Sequence, residues 1–221
     1  DAYLAQQGLT EETAKKQIRS NMLLEYAVNQ AAKKDIKESD YKAAFESYTP
    51  EVTAQIIKLD SEDKAKEVLE AAKAEGADFA QIAKDNSTDT ATKDKGGEVK
   101  FDSGTAGIPS QVKEAAFKLD ENGISDVITV SAGQNYSASY YIVKLNKKTE
   151  KGSDWKKYEK RLKEIIVEGR KQDANFIRSI IAKAMTNANI KVKDDAFKST
   201  FNQYLQNIGV QTSDSSSSSK K

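Results

Sequence analysis

The chain has 221 residues, enough for two domains, and its 35 Lys and Arg balance 34 Asp and Glu to leave a net charge of +1. This balance argues against nucleic-acid binding, which needs a basic surface. Cysteine and histidine are both absent. Their absence excludes disulfides, thiol nucleophiles, histidine bases and the common transition-metal ligands, and we predict neither a metal nor a cofactor. No stretch approaches the ~20 apolar residues of a membrane span.

The first 50 residues are predicted to form a helical arm. One helix is expected from Glu11 to about Lys34, and a second from Glu38 to Tyr48, where Pro50 ends it. Large apolar residues recur at helical spacing along both helices: Ile18, Met22, Leu23, Tyr26, Tyr41, Phe45 and Tyr48. Two interpretations of this stripe stay open, because the pattern is typical both of helix core and of an exposed surface that binds another protein.

Residues 51–147 carry the signals of a mixed α+β domain. The β-branched and apolar run from Glu51 to Leu59 predicts a strand. Ser61 is predicted to cap a helix that ends near Gly76, which suits a left-handed backbone, and Asp78 is predicted to cap a second, shorter helix.

The second half of this domain is predicted to supply most of its sheet. The polar run 85–97 is expected to be loop, and Pro109 is expected to open a helix that Asn122 and Gly123 stop. Three further strands are predicted: Val99–Phe101, Ser125–Val130 and Tyr140–Leu145. The order is strand, two helices, strand, helix, strand, strand, which predicts an α+β fold of roughly 95 residues.

Residues 148–208 are predicted to form a second helical arm that packs with the first. One long helix is expected from Trp155 to about Met185, with Gly169 as its weak point because glycine disfavours a helix interior. A short strand or turn and a last helix, capped by Asp194, should follow. The serine-rich residues 209–221 carry no apolar cluster and are predicted to be a disordered tail.

Five successive blocks of the α+β domain carry a family resemblance: Ser87-Thr88-Asp89, Gly96-Gly97-Glu98-Val99, Ala115-Ala116-Phe117-Lys118-Leu119, Asn122-Gly123-Ile124-Ser125-Asp126-Val127 and Tyr141-Ile142-Val143-Lys144. In this order they resemble the signature blocks of the parvulin-type peptidyl-prolyl isomerases. The flanks, with Gly8 to Thr13 and Tyr41 to Pro50, resemble the arms of the PrsA-type foldase lipoproteins of Gram-positive bacteria. The resemblance extends to about Asn202.

The resemblance implies a fold and a cellular role. The fold would be a parvulin-like four-stranded antiparallel sheet with surrounding helices, inserted in an all-α domain made from both chain ends. The role would be folding of unfolded or nascent secreted proteins, with Xaa-Pro segments as targets, at the outer face of the cell membrane. Attachment would depend on a lipid anchor, and we expect the anchor and an amino-terminal portion to be missing from this chain, which begins at Asp1 without Met. A homodimer stays open.

The resemblance also points to site residues. A prolyl isomerase lowers the barrier of ~18–20 kcal/mol to rotation about the peptide bond by gripping the proline and stabilising the twisted amide. In active parvulins two histidines and an acidic or thiol residue form the polar network, and a methionine and a phenylalanine line the slot. The match keeps the acid as Asp89 but places Gln55 and Tyr141 at the histidine positions. At the slot positions it places Ile108 and Val112.

Each of these residues also has an ordinary structural interpretation. Asp89 is typical of a residue that caps a turn, and Gln55 and Tyr141 are typical of satisfied polar residues in a packed sheet. Ile108 and Val112 are, by sequence alone, ordinary apolar residues.

Three functions are therefore weighed. The first, which we favour, is a folding factor that holds unfolded proteins and keeps a weak or inactive isomerase domain. The second is an active isomerase that uses Asp89, Gln55 and Tyr141 in a shifted network. The third is a surface adhesion or scaffold protein. Loss of both histidines and of the aromatic slot wall favours the first over the second.

Overall fold

The computed structural model describes residues 8, 10–131, 138–188, 197, 202 and 206. Contacts divide this part of the chain into two compact units. The helical unit contains the described residues up to Ala44 and those from Tyr158 onward, and the sheet unit contains the described residues between Phe45 and Lys157. Within these ranges, no helix combines the length and the apolar character that a bilayer crossing requires.

The sheet unit is built on four antiparallel strands in the order β2-β1-β4-β3. The strands are β1 (Val52–Leu59), β2 (Glu98–Phe101), β3 (Ile128–Val130) and β4 (Ser139–Lys148). The four-stranded antiparallel sheet predicted from the sequence is thus confirmed, as is the α+β fold class. The register of β1 on β4 shifts between Thr53 and Ala54, which marks a β-bulge.

Alternation along the central strand β1 sends side chains to opposite faces of the sheet, and each face has its own core. On the first face, Ala54 and Ile56 pack with residues of β4 and of helix α5 (Ser110–Lys118). On the second face, Ile57 and Leu59 pack with residues of helices α3 (Glu62–Lys73) and α4 (Phe79–Asn86). The sheet is therefore covered on both sides by apolar helix faces.

Side-chain caps start the helices of the second face where the sequence predicts them. The Ser61 hydroxyl accepts from the Lys64 amide at 3.4 Å, and the Asp78 carboxylate accepts from the Gln81 amide at 3.1 Å. The loop after α4 contains a 3₁₀ turn, Lys93–Lys95, and ends at Gly97, whose carbonyl accepts from the Ile56 amide at 2.9 Å. Gly97 has φ +77, and a Cβ there would lie 2.5 Å from the Ile56 oxygen, so only glycine fits.

The third strand is shorter than predicted. Strand pairing covers only Ile128–Val130, because Ser125 contacts β4 in a different way. The Ser125 amide donates to the Val143 oxygen at 2.8 Å, while its hydroxyl accepts from the Val143 amide at 3.0 Å. A side-chain oxygen thus takes the place of a strand carbonyl.

The helical unit contains α1 (Glu11–Ala32), α6 (Glu159–Gln172) and α7 (Ala174–Ala188), and α1 contacts both of the others. Helix α2 (Glu38–Ser47) contains the boundary between the two units. The guanidinium of Arg170 donates to the Ala32 oxygen at 3.2 Å and to the Lys34 oxygen at 2.8 Å, and it pairs with Asp40 at 2.9 Å. These bonds tie the end of α6 to the corner that follows α1.

The prediction of one long helix from Trp155 to Met185 is wrong. A 3₁₀ turn, Trp155–Tyr158, precedes α6, and the helix breaks at Asp173 rather than at Gly169. The Asp173 carboxylate accepts from the Asn175 amide at 2.8 Å and from the Phe176 amide at 3.3 Å, so it acts as the cap of a new helix. A residue in the interior of the predicted helix therefore starts α7.

Three predictions concern residues outside the described ranges. They are the loop joining the last two strands, most of the segment from residue 189 to residue 208 with its Asp194 cap, and the serine-rich tail. Within that segment Phe197, Asn202 and Gln206 are helical.

Candidate functional site

Asp89 lies in the loop after α4, and its carboxylate is engaged within that loop. One oxygen accepts from the Ala91 amide at 3.1 Å and the other from the Thr92 hydroxyl at 2.7 Å. The adjacent backbone is anchored to the end of β1, since the Thr88 amide donates to the Lys58 oxygen at 2.8 Å. The carboxylate thus performs the turn-capping role that the sequence also suggested.

Gln55 lies in the middle of β1 and is half-buried. Its side-chain amide donates to the Gly96 oxygen at 2.9 Å, across the loop that returns to β2. Alternation along β1 places Gln55 on the second face, opposite to Ala54 and Ile56. One of its two N–H donors is therefore committed to the protein's own backbone.

The other three site residues meet on the first face. Tyr141 and Ile108 are half-buried and pack at the margin of the first-face core, whereas Val112 on α5 belongs to its interior and is 0% exposed. Tyr141 and Ile108 can therefore touch a ligand, while Val112 supports them from beneath. The structure brings the two slot positions and Tyr141 together, but it leaves Gln55 on the other face of the sheet.

The loop that carries Ile108 is held by polar contacts that sequence reasoning missed. Asp102 is buried, and its carboxylate accepts from the Tyr48 hydroxyl at 3.1 Å, the Gly104 amide at 3.0 Å and the Thr105 hydroxyl at 2.9 Å. The ammonium of Lys113 donates to the carbonyls of Ser103 and Thr105, both at 2.9 Å. Tyr48 and Asp102 are 54 positions apart, so nothing in the sequence indicated their hydrogen bond. The sequence Asp-Ser-Gly-Thr indicated only a turn.

A second candidate surface lies on α1. Ile18, Met22, Leu23 and Tyr26 are 59–65% exposed, whereas Tyr41 and Tyr48 from the same predicted stripe are buried. The stripe therefore divides into buried residues on α2 and just after it, and an exposed apolar surface on α1. Beside it, a groove of ≈ 240 Å³ is lined by residues of α1 and by Ile177 of α7.

These features allow binding of an extended apolar segment, and they offer little for bond-making chemistry. Within the described ranges, no cluster of acidic side chains is arranged to hold a metal ion. The half-buried rim of Tyr141 and Ile108 presents an aromatic ring and an aliphatic chain, the surfaces against which a proline ring packs. Tyr141 also carries a hydroxyl group, which can donate or accept a hydrogen bond.

The family model for the rotamase PPIC-type PPIASE domain matches residues 47–147. This match covers the sheet, its helices and all five predicted site residues.

Whole-chain comparisons reach beyond that domain. Foldase protein PrsA of Streptococcus sanguinis is 64% identical over 206 residues, which are 93% of this chain and 61% of the relative. Foldase protein PrsA of Streptococcus gordonii is 60% identical over 217 residues, 98% of this chain and 68% of the relative. Both relatives are thus considerably longer than this chain.

Solved structures agree with these relatives. The crystal structure of foldase protein PrsA from Streptococcus pneumoniae superposes with a TM-score of 0.82 at 55% identity, and the match covers 92% of this chain and 74% of that one. The PrsA structure from Lactococcus lactis gives a TM-score of 0.70 at 37% identity over 92% of this chain and 73% of that one.

Proposed function

This chain belongs to the PrsA foldase family, and from that premise we propose that it is an extracytoplasmic folding factor for secreted proteins. Its targets are unfolded or nascent chains, and it works at the outer face of the cell membrane of a Gram-positive bacterium, attached through a lipid anchor. The sheet unit binds Xaa-Pro segments on its first face and catalyses their isomerisation weakly or not at all. The helical unit holds unfolded chains.

The weak-isomerase proposal rests on one observation: two of the predicted catalytic side chains already form hydrogen bonds within the protein. A catalyst must direct hydrogen-bonding groups at the twisted amide, where they act only if they are preorganised and free. The Asp89 carboxylate already accepts two bonds from its own loop, and the Gln55 amide already donates to Gly96. With no imidazole in the chain, Tyr141 is left as the one predicted catalytic residue that lies at the rim, which favours binding over catalysis.

The holding function is supported by the exposed surface of α1. Four large apolar side chains, Ile18, Met22, Leu23 and Tyr26, stand 59–65% exposed on one helix. Exposed apolar patches of several hundred Å² mark binding surfaces, and unfolded proteins present the apolar segments that such a patch binds.

An active isomerase is the second candidate, and the hydroxyl of Tyr141 favours it. A phenol can donate to an amide oxygen or accept from an N–H group, so one well-placed tyrosine could assist rotation. The adhesion or scaffold alternative has no comparable observation in its favour.

The first experiment measures cis–trans exchange of an Xaa-Pro peptide by exchange NMR, with wild type, Asp89→Ala and Tyr141→Phe side by side. We expect wild type to be no more than about tenfold faster than buffer, since one preorganised hydrogen-bond donor contributes about 10²–10³-fold in an efficient enzyme. Tyr141→Phe keeps the ring and removes only the hydroxyl. Efficient exchange that either variant abolishes would overturn the weak-isomerase proposal.

A second experiment tests holding by light scattering of an aggregating unfolded protein. Wild type should suppress aggregation, and replacement of Met22 and Tyr26 by serine should weaken suppression. Serine at Thr13 and Gln17, one turn or more away on the same exposed helix, is the matched control. Wild type that fails both to bind peptide and to suppress aggregation would leave the scaffold alternative.

A further inference from the structure

We propose that Lys58 sets the sequence preference of the first-face slot, so that the slot binds proline segments flanked by acidic residues. This inference rests on the proposed peptide binding by the sheet unit. It adds the chemical class of the bound segment, which nothing in the family resemblance assigns to this residue.

Strand register places Lys58 beside the slot. Lys58 follows Ala54 and Ile56 at the two-residue spacing of one face, so it lies on the first face. It pairs directly with Tyr141 on β4, and Tyr141 pairs in turn with Ile128 on β3. Directly opposed residues in an antiparallel pair have Cβ atoms about 4.5–5.5 Å apart. Lysine, tyrosine and isoleucine thus form one row across the sheet.

Hydrogen bonds hold the backbone of Lys58 in place, so its side chain is the part that can move to contact a bound segment. Its amide donates to the buried Ser87 hydroxyl at 3.2 Å, and its carbonyl accepts from the Thr88 amide at 2.8 Å and the Thr88 hydroxyl at 3.2 Å. The side chain is half-buried. Its ammonium group forms no ion pair with another described residue, so the charge is available to a bound segment.

The acidic groups near this end of β1 are bound to other partners. Asp60 accepts from the Thr88 hydroxyl at 3.3 Å, and Asp89 is engaged with Ala91 and Thr92. Lys58 lies in the same row as Tyr141, whereas Asp60 and Asp89 are bonded to residues of the loop that anchors the Lys58 backbone. A proline ring on Tyr141 places its sequence neighbours within reach of the flexible lysine chain, where a carboxylate can form a charge-assisted hydrogen bond.

Two other lysines of the same sheet provide matched comparisons. Lys144 pairs with Gln55, and Lys100 pairs with Thr53, so both project from the second face. Lys144 is half-buried like Lys58. A preference that arises from the first face should depend on Lys58 and be indifferent to Lys144.

The test measures binding of three peptides by NMR chemical-shift titration at low salt: one with Glu on both sides of proline, one with Gln, and one with Lys. Wild type is expected to bind the Glu peptide about three- to tenfold more tightly than the Gln peptide, and the Lys peptide most weakly. Lys58→Glu should reverse this order, and Lys58→Gln should abolish it. Lys144→Glu should keep the wild-type order.

The possible outcomes distinguish failure of the charge preference from failure of the proposed peptide binding. Equal binding of the three peptides by wild type would overturn the preference while leaving peptide binding intact. Binding of none would overturn the proposed peptide binding and the preference with it. Loss of the preference in Lys144→Glu would assign it to the general charge of the sheet and would also overturn the role of Lys58. If Lys58→Glu loses its folded amide spectrum, the neutral variant Lys58→Gln decides.

Discussion

The two units place their apolar residues in opposite ways. The sheet unit buries large side chains on both faces of one sheet, whereas in the helical unit the buried hydrophobic residues among those described are Val28, Ala32, Tyr41 and Leu162. The exposed large hydrophobic residues of the described ranges, by contrast, all belong to the helical unit. The sheet unit therefore has a closed core on each face of its sheet, whereas the helical unit exposes the apolar side chains on which the proposed holding function depends.

The largest expected effect on stability comes from a substitution in the core of the sheet unit. Phe79 is 2% exposed on the second face, so Phe79→Ala should lower the free energy of unfolding by about 3–5 kcal/mol through lost burial and a cavity. Tyr26→Ala removes a comparable ring that is 64% exposed on α1, and it should change stability by less than about 0.5 kcal/mol. Urea denaturation followed by circular dichroism measures both, and equal losses would contradict the contrast between the units.

Local chemistry made most of the sheet unit predictable. The β-branched run of β1 and the capping side chains of Ser61 and Asp78 act within a few residues, and each produced the expected element. The family resemblance, rather than periodicity, supplied the four-stranded antiparallel sheet and the site positions.

Ambiguous local signals and contacts between distant residues made the rest unpredictable. The helix breaks at Asp173 because its carboxylate caps the next helix. In the sequence, an acidic residue is equally typical of an exposed position inside a continuous helix, so the break could not be predicted. The separation of Gln55 from Tyr141 depends on which face each residue of a strand occupies, and a one-residue change of register reverses that. The anchoring of Asp102 by Tyr48 joins residues 54 positions apart.

A second prediction separates a steric requirement from a conformational one. Gly97 and Gly107 both have positive φ, at +77 and +83, but a Cβ meets the backbone of Ile56 only at Gly97 and has nothing within 4 Å at Gly107. Gly107→Ala should cost about 1–2 kcal/mol for the left-handed conformation alone. Gly97→Ala adds an overlap that the sheet cannot relieve, and should cost about 1–3 kcal/mol more. Thermal unfolding gives the difference, and equal losses would show that the Gly97 loop can move away from β1.

A third prediction concerns the helical unit, which has few buried apolar residues among those described. There, the hydrogen bonds of one side chain, Arg170, join the end of α6 to the corner after α1. Arg170→Met removes the bonds to Ala32, Lys34 and Asp40, and leaves the carbonyls of Ala32 and Lys34 without this donor. The expected loss is about 1.5–3 kcal/mol, because the lost bonds are charge-assisted and partly buried. Lys15→Met, which breaks only an exposed pair with Glu11, should cost no more than about 0.5 kcal/mol. Hydrogen exchange of the α1 amides should rise in the first variant only, and unchanged exchange there would show that packing holds the corner without Arg170.

The smallest expected effect is a pH dependence at the exposed end of α6. A hydrogen bond from Lys171 is the main cause that lowers the pKa of Glu168, a bond from Gln172 adds to it, and the charge of Lys171 acts in the same direction. Because the folded pKa lies below that of the unfolded chain, the stabilisation is complete above the unfolded pKa and is lost as the pH falls through the folded pKa. Lys171→Met should raise the Glu168 pKa toward its ordinary value in a carboxyl NMR titration, and Gln172→Ala should raise it less. A Glu168 pKa unchanged by Lys171→Met would show that the Glu168–Lys171 pair does not persist in solution. The end of α6 would then gain no stability from this pair.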